Sequence, residues 1–179
     1  MTIPTRLITD LRGNNPRLRV DPGSTGFFAG REFRTFKEFD VATTATYVVK
    51  IAVPVDVILT EFQAQSEQGS MRVETVLGGT GEVEGGTFSE TLPIRAVNTM
   101  SERLVPNYSP LVVMTAGGTL TGGLVIDVSR IKVSNNANFS ATVGGTGGSD
   151  RGVGAGTYYW RITMTDYIGV VKARWEERI

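Results

Sequence analysis

The chain has 179 residues with neither cysteine nor histidine, and its 18 basic and 18 acidic residues leave a formal net charge of +0. The absences remove disulfides, thiol nucleophiles and thiolate-held zinc, along with the commonest acid/base group near neutral pH and the commonest transition-metal ligand. Neutrality gives no bulk attraction to nucleic acid or to an anionic membrane surface, so neither is expected as a partner.

The first segment, residues 1 to 37, reads as an extended docking arm. Pro4, Gly13, Pro16, Pro22, Gly23, Gly26 and Gly30 interrupt any long helix or strand. Seven basic residues (Arg6, Arg12, Arg17, Arg19, Arg31, Arg34, Lys37) face three acids (Asp10, Asp21, Glu32), a local excess of +4. Within this stretch Arg17, Arg19, Arg31 and Arg34 are interleaved with Phe27, Phe28, Phe33 and Phe36. Large rings outside an amphipathic element normally need another surface to cover them, so these eight residues are expected to bind a partner. The opening lacks the apolar run of a secretory signal, and the longest apolar stretch, from Ile51, is broken by Pro54 and Asp56. A protein made and folded in a cytoplasm is expected.

Residues 38 to 179 read as one β-domain. Period-two alternation marks strands over 47–53, 55–62 and 71–77, with further candidates over 87–94, 111–115 and 124–133. The stretch TYYWRITMTDYIGVVKARWEE reads as a hairpin turning near Asp166 to Gly169. No window carries a convincing helical stripe. The expected fold is all-β, a β-sandwich or jelly roll of about 8–10 strands behind the N-terminal arm.

Three glycine-rich loops open with Gly-Gly-Thr, but none feeds a helix in a phosphate-binding pattern, and the last only approximates a calcium-binding repeat. Glu61, Glu74, Glu90 and Asp127 lie on or beside strands, where acids are usually solvated. No catalytic residue, cofactor or metal is therefore expected, and the protein is not expected to be an enzyme. Tyr158, Tyr159, Trp160, Tyr167 and Trp175 are expected mainly in the core or a subunit interface, with a sugar-stacking platform as the alternative. Trp175, flanked by mixed charges, is also a candidate contact residue.

The segments RVDPGSTGFFAGREFRTFKEF (19–39), RIKVSNNANFS (130–140) and RGVGAGTYYWRITMTDYIGVVKARWEERI (151–179) resemble a group of virion structural proteins of tailed bacteriophages. The resemblance runs from about Arg17 onward. It implies a non-enzymatic particle component, a head decoration or cement protein that seats on the major capsid protein or another virion protein and oligomerises there. Its location would be the virion, assembled in the host cytoplasm. The alternatives are a tail, collar or fibre-adaptor component, or a carbohydrate- or receptor-binding module.

Overall fold

The computed structural model describes residues 7–8, 17–18, 25–100, 106–133, 141–145 and 151–179, with 7–8, 17–18, 25, 141–145 and 151 as backbone only. In chain order these form β1 (Leu7–Ile8), β2 (Arg17–Leu18), one helical turn α1 (Thr25–Phe28), β3 (Glu32–Val41), β4 (Ala45–Val53) and β5 (Val57–Leu77). There follow β6 (Val83–Gly85), β7 (Glu90–Thr91), β8 (Arg95–Ala96), β9 (Val113–Ala116), β10 (Thr119–Thr121), β11 (Leu124–Lys132), β12 (Ala141–Gly145), β13 (Arg151–Val153) and β14 (Gly156–Glu177). The protein is all-β and sandwich-like, built from curled antiparallel sheets.

Two strands carry the architecture. β5 has 21 residues and β14 has 22, and they pair antiparallel along nearly their whole length. At ~3.3 Å per residue such a strand, if straight, would span ~70 Å, whereas a domain of this size is roughly 40 Å across. The ribbon must therefore bend. It does so where Gly69 takes φ +76° and Asp166 takes φ +47°, with the register slipping between Thr165 and Ile168. A Cβ on Gly69 would lie 1.8 Å from the Asp166 carbonyl oxygen, so only glycine fits there. Asp166 tolerates the left-handed region better than most residues, and its carboxylate accepts a hydrogen bond from Gln68 Nε2 at 2.8 Å.

The bend divides the sheet into two halves. In one, β11 flanks β5, while β4, then β9 and β7, flank β14. In the other, β12 and β13 flank β5, while β3 and then β8 flank β14. The halves close on one core that joins Ile51, Val73, Trp160 and Ile162 of the first to Phe33, Val57, Val171 and Trp175 of the second. Phe62 of the second half meets Trp160 of the first edge-on, with ring centroids 5.4 Å apart. Near the bend, Tyr167 is fully buried beside Phe39, and its hydroxyl donates to the Gln65 carbonyl at 2.7 Å. A smaller cluster of Val48, Val76, Leu120 and Tyr159 lies on the outer side of the first half, under the pair formed by β6 and β10.

Three details differ from the sequence expectation. The segment 157–177 is one bent strand and not a hairpin, because its two parts each pair with β5 and not with each other. The strands expected over 55–62 and 71–77 are likewise one strand, β5, kinked at Gly69. The sheet also begins at Glu32, so 32–37, expected in the arm, is an inner strand segment paired along its length with β14.

Gly69→Ala is expected to destabilise the fold by more than about 3 kcal/mol, lowering the thermal midpoint by roughly 6–12 °C. Gly152→Ala, where an added Cβ meets nothing within 4 Å, should shift stability by no more than ~0.5 kcal/mol. Equal midpoints for the two variants would contradict the packed bend. Burial pushes the Tyr167 hydroxyl up to about 12, against ~10 in an unfolded chain. A raised tyrosine value means its stabilisation is complete below pH ~10 and is lost as pH climbs toward 12. Denaturation midpoints measured across that window should fall less steeply for Tyr167→Phe than for the parent chain, and parallel curves would count against this account.

Candidate assembly surface

Hydrogen bonds gather three segments at one end of the sandwich. Arg31 N donates to the Gly26 carbonyl at 2.9 Å, Tyr108 N to the Gly30 carbonyl at 2.9 Å, and Glu177 N to the Arg31 carbonyl at 3.0 Å. Asn98, buried, donates through Nδ2 to the Phe27 carbonyl at 3.2 Å, and Asn107 Nδ2 donates to the Asn98 carbonyl at 2.7 Å. Gly30 permits this approach: its φ is +70°, and a Cβ there would sit 2.8 Å from the Pro106 carbonyl oxygen.

Glu177 anchors the third segment. It is fully buried, and its carboxylate accepts hydrogen bonds from the amides of Leu111 and Val112, both at 3.0 Å, and from Trp175 Nε1 at 3.3 Å. A buried carboxylate needs such donors, and buried amides in a strandless stretch need an acceptor, so each resolves the other's desolvation. The outcome is a firmly held end that nevertheless shows apolar groups to solvent. Phe28 is 56% exposed, Tyr108 50%, Leu111 40% and Ile179 55%. Phe28 packs edge-on against Phe27 at 5.2 Å, and Arg31 Nη1 donates to the Ile179 carbonyl at 2.9 Å.

The expected partner-binding residues separate into distinct environments. Phe27, Phe28 and Arg31 lie at this end, the first and last half-buried. Phe33 and Trp175 are buried, at 0% and 2% exposure, with ring centroids 6.2 Å apart, so neither is available for docking. The reason is alternation: Phe33 lies on a strand paired on both sides, on the face turned to the core, and Trp175 shares that face. Arg34 and Phe36, one and three residues on, fall on the exposed outer face. Arg17 lies in β2, described as backbone only, and Arg19 lies outside the described residues. Sequence reasoning missed Tyr108 and Leu111, although a tyrosine between Pro106 and Pro110 cannot join a regular ladder and so has no strand face to turn inward.

The remaining chemistry is mostly engaged. Both Glu74 oxygens are taken, by Arg72 and by Arg161 Nε, the latter at 2.7 Å. Glu90 accepts from Lys37 at 2.6 Å and Tyr47 at 2.7 Å, and the Lys37 bond above all holds it below the ordinary carboxylate range. Among the described residues no group of three or more acids could hold a metal ion. A cavity of about 350 Å³ lies between the halves, lined by Ile51, Phe62, Val73, Met114, Trp160 and Trp175, with Thr75, Asp127 and Ser129 as polar neighbours. Both tryptophans are buried, so the exposed sugar-stacking platform that either would need is not formed.

No protein-family model, curated protein or solved structure matches this chain.

Glu177→Ala leaves two inward amides unpaired and is expected to cost about 2–4 kcal/mol in chemical denaturation. Phe28→Ala, at a half-exposed ring, should stay within ~1 kcal/mol. A Glu177→Ala chain as stable as the parent would show that the carboxylate does not organise this end.

Proposed function

We propose that this chain is a non-enzymatic structural component of a phage virion, a head decoration or cement protein that seats on the capsid shell through the end where residues 26–31, 106–112 and 177–179 meet. The observation that supports this most is the set of half-exposed apolar residues, Phe28, Tyr108, Leu111 and Ile179, held in place by a hydrogen-bonded frame. Grouped apolar exposure on a soluble fold marks an interface, and rings are the side chains that most often dominate binding energy. A frame that is already ordered loses little conformational freedom on docking. Repetition over a shell would let modest single-site affinity suffice.

The test is co-sedimentation of the purified chain with phage shells lacking it, followed by imaging. Saturable occupancy of symmetry-related positions is expected, and Phe28→Asp should lower affinity at least about tenfold, the effect of losing one anchor ring. Occupancy confined to isolated tails would instead assign a tail or collar role. Undiminished binding by a folded Phe28→Asp chain would remove this end from the interface.

A further inference from the structure

The outer face of the second half carries a row of charges that packing does not explain. Arg95 of β8 stands opposite Arg34 of β3, and Arg34 stands opposite Arg174 of β14. Residues directly opposite share a face with Cα spacings of about 4.5–5.5 Å, and like charges so placed destabilise a sheet. Three arginines on three adjacent strands therefore stand side by side. Lys172, two residues before Arg174, adds a fourth cation to the same cleft. Arg174 is tethered by Nε to the buried Glu32 carboxylate at 2.6 Å. Arg34, Arg95 and Lys172 have no ion pair among the described residues. The cleft holds about 410 Å³, and Phe36, Pro93 and Val97 form its apolar wall.

We infer that this cleft is a docking site for an acidic protein segment, one that presents two or three carboxylates beside an apolar residue. Guanidinium groups bind carboxylates through paired parallel hydrogen bonds, and neighbouring guanidiniums at strand spacing fit a short row of acids. The exposed ring of Phe36 and the Pro93 surface receive the apolar residue. The row has close limits. Glu61 stands opposite Arg174 within the cleft, and Glu38 and Asp40 follow Phe36 on the same face of β3. A nucleic-acid strand needs a continuous basic track for its phosphates, and these acids interrupt one. On the first half's outer face, by contrast, Glu74 receives both Arg72 and Arg161. This inference concerns a different surface from the apolar end and does not depend on a virion role.

The experiment reads fluorescence anisotropy of a labelled hexaglutamate peptide against the full chain at low salt. Saturable binding is expected, weakened at least about tenfold in an Arg34→Ala/Arg95→Ala chain and also weakened by Lys172→Gln, as expected when charge-assisted pairs are lost. Arg130→Ala, an exposed cation on the first half, should leave the affinity unchanged. The three cations are not core residues, so thermal midpoints of the variants should stay close to the parent, and these are recorded alongside. No saturable binding, an equal loss from Arg130→Ala, or an intact affinity in the folded double variant would overturn the inference. Tighter binding of a labelled oligothymidine than of the peptide would overturn it in favour of nucleic acid.

Discussion

The pairing of β5 with β14 is the constraint on which the rest of the molecule depends. Each strand is longer than the domain is wide, so the ribbon they form must fold over, and folding it over is what creates two facing halves. The bend itself is small in sequence: a glycine against a carbonyl on one strand, an aspartate with positive φ on the other. Once the ribbon is bent, its inner face supplies residues to both sides of the core, from Val73 and Trp160 to Val57 and Trp175. The shorter strands then extend each half from an edge the ribbon has already set. These two strands are far apart in the chain, so the contact that defines the fold is also one that forms against a large loop-closure cost.

The same ribbon builds the apolar end. β14 finishes at Glu177, and the rigidity of a strand paired on both sides holds that carboxylate in place under Leu111 and Val112. Without a fixed acceptor, the stretch after Pro106 would have to expose or orphan its amides. With it, the chain lies flat against the sandwich and turns Tyr108 and Leu111 outward. Exposure of these side chains is thus a consequence of polar pairing beneath them, which is why the apolar groups are both solvent-facing and positioned.

Charge shows a similar contrast between the whole and the part. The chain is neutral overall, yet the two outer faces handle their cations differently. On the first half a buried glutamate receives two arginines; on the second, Arg174 is paired with a buried acid, while Arg34 and Arg95 across the strands are exposed and have no ion pair among the described residues. Sheet register converts residues more than a hundred positions apart, such as Arg34 and Arg174, into adjacent charges. No tally of net charge can reveal such a row.

Composition and period-two alternation determined the β class, the strands over 47–53 and 124–133 to within two residues of β4 and β11, and the burial of Trp160, because alternation is a local property that each segment carries with it. The absence of cysteine and histidine likewise constrained chemistry from the sequence alone. Local signals misled at Asp166 to Gly169, where turn-forming residues mark a bend within a strand: a left-handed residue looks the same in sequence whether the chain reverses or continues, and only the presence of β5 alongside decides. Phe33 and Phe36 looked equivalent in a basic, ring-rich stretch, and pairing with β14 alone sent one to the core and left the other outside. The arginine row and the Glu177 anchor depend wholly on register and on contacts between distant segments, which are properties of the assembled sheet and are written in no single stretch of the chain.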